Sequence, residues 1–140
     1  MGKRREGREA ALQYLFSNEL NTVEDEAQRN QFWELRRAKP TVRAFAEELI
    51  LGASANLEQI DKLIDEATPG YDLTRITSVD KNILRIATFE LLKLPDVPQP
   101  VVINEAIEMA KRFSSDDSSR FVNGVLDAIR KHIPSTEADA

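Results

Sequence analysis

The side chains best suited to chemistry in this 140-residue chain stand at its start. Lys3, Arg4, Arg5 and Arg8 lie within six residues, and Arg4 and Arg8 share one face of a helix. An arginine fork matches a phosphate with two parallel hydrogen bonds, and arginine-rich segments can fold against RNA. A basic run is a nonspecific signal, and the competing reading is a solvated N-terminus that is basic by chance. With Glu6 among them, the first eight residues carry +3 in a chain of net charge −5, so the rest carries −8. An acidic body repels polyanions, which confines nucleic-acid contact to the basic end.

Catalytic chemistry finds less support. "GKRREG" lacks the glycine spacing and strand context of a phosphate-binding loop. Serines crowd 114–119, but the single histidine, His132, lies far along the last helical pattern, so a serine triad is not supported. Glu105 and Glu108 stand at i,i+3 without the histidine of a helical di-metal motif. Asp116 and Asp117 read as helix-cap residues rather than an acid–base pair. Phe32 and Trp33 read as core or interface anchors. There is no cysteine, hence no disulfide or thiolate metal site, and the reducing cytoplasm fits best. The expectation is a protein that is not an enzyme and needs no cofactor or metal.

"VINEAIEMAKRFSSDDSSRFVNGVLD" is polar where a mere packing helix need not be. Asn104 stands one turn before Glu108, and Asn123–Gly124 puts two poor helix formers inside a helical pattern. The packing explanation is that Gly124 permits a close helix contact and Asn123 satisfies buried backbone groups.

The elements that must position these residues are helical throughout. Arg4, Arg8, Ala11, Leu12, Leu15 and Phe16 continue one periodicity, so one helix has a basic first half and an apolar second half. Gly7 weakens its start by up to about 1 kcal/mol relative to Ala, so the arm is expected to fray when free. "NTVEDEAQRN" reads as a loop, and "QFWELRRAK" as a short helix ended by Pro40. Apolar residues then recur at helical spacing over 42–67, with Asn56 as a new N-cap, and over 79–91, with Ser78 as the cap. Two more helices follow over 103–113 and 121–129. The prediction is an all-α fold of about seven helices in two small antiparallel bundles. A single domain spans 1–134, made of N-terminal helices with the basic arm (1–69) and C-terminal helices (77–134). Residues 135–140 read as a disordered tail. The core should include Leu49, Ile83, Ile86, Ile107 and Val125. No apolar run approaches the ~20 residues of a membrane span, and the N-terminus lacks the apolar centre of a signal peptide.

"GREAALQYLF", "ILRIATFELL", "DVPQPVVINEAIEMAKRF" and "SSRFVNGVLD" together resemble the NusB family of bacterial transcription antitermination factors. The resemblance runs from the arm to about residue 131 and is weakest over 21–41. It implies two small helical bundles that bind the single-stranded boxA element of nascent RNA together with NusE, a small-subunit ribosomal protein. It further implies a complex with RNA polymerase, NusA and NusG that sustains ribosomal RNA transcription. By the same resemblance, Lys3, Arg4, Arg5 and Arg8 are the arginine-rich RNA-binding arm. Phe16 takes the place of an aromatic on the first helix, with Tyr14 beside the register. Phe121 is an aromatic near the RNA surface, able to stack a base, flanked by Asp117 and Arg120. Tyr71 and Asp80 would face NusE. Both a monomer and a homodimer are left open.

Two other readings stay beside this one. The same helical unit resembles the N-terminal part of some ribosomal RNA cytosine methyltransferases. Those proteins rely on catalytic cysteines and a glycine-rich cofactor loop, so this chain is not expected to perform their chemistry. The other is a protein-interaction bundle whose arm never meets RNA.

Overall fold

Seven α-helices form among the described residues, 2–18 and 25–134 of the computed structural model, and no strand occurs among them. They are α1 (Lys3–Ser17), α2 (Glu26–Arg36), α3 (Pro40–Ala55), α4 (Leu57–Ala67), α5 (Ser78–Lys93), α6 (Gln99–Phe113) and α7 (Asp116–Arg130). A 3₁₀ turn, Leu73–Arg75, links α4 to α5. The all-α prediction holds. The tail at 135–140 and residues 21–24 of the expected loop lie outside the described residues.

Local chemistry explains most boundaries, and several differ from expectation. The expected loop is already helical from Glu26, because the Asp25 carboxylate accepts from the Gln28 amide at 3.1 Å and caps α2. Pro40 opens α3 at its first position, where a missing N–H costs nothing, instead of closing the helix before it. Asn56 does not cap α4 with its side chain: its Nδ2 donates to the Gly52 carbonyl at 2.8 Å and closes α3. The cap of α5 is Thr77, one residue before Ser78, with its hydroxyl accepting from Asp80 N at 3.3 Å. Ser115 caps α7 by accepting from Ser118 N at 3.0 Å.

One cluster of buried apolar side chains draws on α1 through α7. Helix α5 crosses its centre, packing on α1, α3, α4, α6 and α7. Ile83, Leu84 and Ile86 of α5 are wholly enclosed. Leu49 and Val125 are buried as expected, while Ile107 is only partly covered. Phe32 and Trp33 do act as anchors. Trp33 is buried, and Phe32 meets both Trp33 and Tyr14 edge to face, with centroids 5.0 and 5.1 Å apart. Gly52 is an unforeseen contact point: a Cβ there would fall among the Phe89 ring carbons, so its absence lets α5 approach α3.

Helix directions follow from the polar ties. Arg8 of α1 meets Glu90 of α5, and Asn82 of α5 reaches the Leu15 carbonyl, so α1 and α5 run antiparallel. Arg5 meets Glu105 and Glu9 meets Arg112, so α6 runs alongside α1 in the same direction.

Candidate nucleic-acid interface

The arm residues sit on one helix but in four environments. Lys3 and Arg4 are exposed, and neither forms an ion pair among the described residues. Arg5 is half-buried and grips Glu105 with both ends of its fork, at 3.0 and 3.1 Å. That hydrogen bond and the Glu105 charge raise its pKa above the usual arginine value. Arg8 is buried: its side chain is 3% exposed and that of its partner Glu90 is 1% exposed. Its Nε and Nη2 donate to the two Glu90 oxygens at 2.9 and 2.7 Å. The Arg8 fork is thus filled from within the protein, while Lys3 and Arg4 keep their charge toward solvent.

The arm does not begin loosely at Gly7. A Cβ there would stand 2.7 Å from Phe45 Cδ2 and 3.4 Å from the Val42 carbonyl oxygen, so the glycine is the slot into which α3 fits. The guanidinium carbons of Arg4 and Arg8 lie 5.1 and 5.6 Å from the Phe45 ring centroid, within cation–π reach. The arm is therefore a helix packed on α3 at Gly7.

A second group lies at the far end of α1. Phe16 is 58% exposed beside a hollow of about 310 Å³ that it shares with Ser78, Lys81 and Asn82. It stands thirteen positions along the helix from Lys3, roughly 20 Å along the axis.

On α7, Phe121 is half-buried and its ring stands 5.8 Å from that of exposed Tyr71, tilted by 56°. The structure therefore brings together an expected RNA aromatic and an expected partner-facing residue. Asp117 and Arg120 are exposed and ion-paired to each other. Asp80 does not face outward: it is 6% exposed, and its Oδ2 accepts from the Ser118 hydroxyl at 3.0 Å, tying α5 to α7.

Asn123 and Gly124 depart from their packing explanation. Both are exposed, and a Cβ at Gly124 would meet nothing within 4 Å. Asn104 and Asn123 instead border a groove of about 400 Å³ between α6 and α7.

Sequence reasoning misses the roles of Glu90, Glu105 and Phe45 as partners of the arm, although Glu90 leaves a trace. It continues the buried stripe of Ile83 and Ala87, as Arg8 begins that of Ala11, Leu12 and Leu15. A charge in register with an apolar face needs a buried partner of opposite sign. No group of three or more His, Cys, Asp or Glu residues that could hold a metal occurs among the described residues. No described helix is long and apolar enough to cross a membrane.

Comparison with known proteins agrees with this geometry. The transcription antitermination protein NusB of Sorangium cellulosum (strain So ce56) is 40% identical over 139 residues, covering 99% of each chain. The solved structure of T. maritima NusB aligns with a TM-score of 0.80 at 39% identity, over 93% of this chain and 92% of that one. A crystal structure of antitermination factors NusB and NusE in complex with dsRNA aligns with a TM-score of 0.82 at 25% identity, over 93% of this chain and 97% of that one. Residues 5–131 match the model of the NusB family, so that one pattern takes in the arm helix, the central α5 and the polar α6–α7 stretch: the chain belongs to the NusB family.

Proposed function

We propose that this protein is a transcription antitermination factor that binds boxA RNA together with NusE and sustains processive transcription of ribosomal RNA. It works in the cytoplasm on the RNA polymerase elongation complex with NusA and NusG, and it binds rather than catalyses. The observation that carries this reading is the likeness, over nearly the whole chain, to a NusB solved with NusE and RNA.

The surface supports a division of labour, since phosphate contacts position a protein while base contacts specify. Lys3 and Arg4 offer unneutralised cations to phosphate, with Arg5 joining when it exchanges Glu105 for RNA. Phe16 and Phe121 offer aromatic faces to bases, with Asp117 and Arg120 as polar neighbours. The exposed ring of Tyr71, beside Phe121, supports a role for it in facing NusE, with Asp80 acting through Ser118 by fixing the start of α7.

The test is a titration of labelled boxA RNA with this protein, with NusE and with both. The pair should bind more tightly than the sum of its parts, and merely additive binding would refute the cooperative reading. With two exposed cations engaged, the log–log salt slope assignable to the arm should be about −1.4, and Arg4→Ala should flatten it by about 0.7.

A further inference from the structure

We propose that Phe45 is a positioning residue for RNA: its ring, admitted by Gly7, sets the Arg4 guanidinium where a phosphate meets it. This role presupposes an arm that contacts RNA phosphate.

Three cations of the arm are held in three contacts, and only one contact leaves the charge unspent. Glu90 fixes Arg8 and Glu105 fixes Arg5, each by a bidentate pair that fills the fork with a carboxylate. Any phosphate must first displace that carboxylate. Phe45 holds Arg4 differently. An aromatic face attracts the guanidinium plane through its quadrupole and leaves the five N–H donors, which point outward in that plane, available. No carboxylate holds Arg4 among the described residues. Phe45 thus orients the side chain without neutralising it.

The ring is itself held. Gly7 removes the atom that would strike Cδ2 at 2.7 Å, and the Val42 carbonyl borders the same slot. Arg8, immobilised by Glu90, lies 5.6 Å from the ring centroid. Glu90, Arg8, Phe45 and Arg4 form a chain of contacts from the buried centre of α5 to the exposed start of α1. A side chain already set in its bound orientation loses less freedom on binding.

The experiment compares Arg4→Ala, Phe45→Leu, Phe45→Tyr and the double variant Arg4→Ala/Phe45→Leu with the unaltered protein. Each is titrated with labelled single-stranded boxA RNA in the presence of NusE, well below its melting temperature. Phe45→Leu fills the slot without an aromatic face and should weaken binding about two- to fivefold. Phe45→Tyr restores the face and should bind like the unaltered protein. The double variant should bind no more weakly than Arg4→Ala alone, because a ring effect routed through Arg4 vanishes with Arg4. Should Phe45→Leu fail to fold, Phe45→Met carries the same comparison. Unchanged binding by the aliphatic variant overturns the role, as does an equal loss with and without Arg4. If Arg4→Ala alone leaves RNA binding intact, the phosphate-binding arm falls, and the role of Phe45 with it.

Discussion

Removing Arg8 should damage folding before it touches RNA. Arg8→Ala would strand the Glu90 carboxylate among Ile83, Ile86 and Ala87, and breaking a buried ion pair from one side costs about 3–5 kcal/mol. Arg8→Met with Glu90→Leu should recover most of that loss, since apolar replacement of both partners removes the stranded charge. Chemical denaturation of the three proteins measures this. A full-stability Arg8→Ala protein would show that the pair does not hold α1 to α5. Tyr14 makes a second case. It is fully enclosed with no hydrogen-bond partner for its hydroxyl among the described residues, and burial raises its pKa above the ordinary 10.0. The folded state favours the neutral phenol, so this contribution is whole below pH 10 and is lost as pH climbs through the raised value. Tyr14→Phe should therefore cost little at neutral pH and flatten the fall of stability in alkali, which melts at pH 8 and above pH 10 would record. At this scale the sequence is only partly legible. That Arg4 and Arg8 share a face follows from spacing alone. That one meets solvent and the other a carboxylate 82 residues away depends on which helix arrives opposite.

Among the elements, the glycines divide by what faces them. Gly52→Ala must displace the Phe89 ring from the α3–α5 contact, and overpacking of this kind costs about 1–3 kcal/mol or more. Gly124→Ala meets open space in the middle of α7, so only the helix propensity gain of about 0.5–1 kcal/mol remains, and the protein should become more stable. Thermal melts of the two variants should shift in opposite directions, and a shared direction would refute the packing assigned to one of them. Helix existence was legible because apolar residues keep a 3.6-residue period through α3 to α7. Boundaries were less so. Pro40 is compatible with the end of one helix and the start of the next, and only the chain reversal before α3 decides. Asn123–Gly124 was read as a packing device because two poor helix formers inside a helix usually answer a neighbour. Here Gly124 faces open space and Asn123 borders the groove between α6 and α7.

The whole molecule joins its two sets of helices through polar as well as apolar contacts. Arg8–Glu90 crosses from α1 to α5, and Arg85 of α5 grips Asp61 of α4 with two hydrogen bonds of 2.9 Å. Both pairs span the connection at 68–77, and the apolar cluster continues across it. Helix α5 touches helices from both sides of that connection, so neither set could leave without baring Ile83, Leu84 and Ile86. Each such side chain contributes roughly 1.5–3 kcal/mol by its burial, comparable to a sizeable share of a domain's net stability of about 5–15 kcal/mol. A half-unfolded state would therefore be poorly populated, and we propose that the two bundles unfold as one unit. Scanning calorimetry should give one peak whose van't Hoff enthalpy equals the calorimetric one. Two peaks, or a van't Hoff enthalpy well below the calorimetric value, would mean that the bundles unfold separately. The outcome also bears on the arm. If α1 can melt only with α5, an arm that binds RNA as proposed does so as a preformed helix, with Lys3 and Arg4 roughly 20 Å from Phe16 along the same axis.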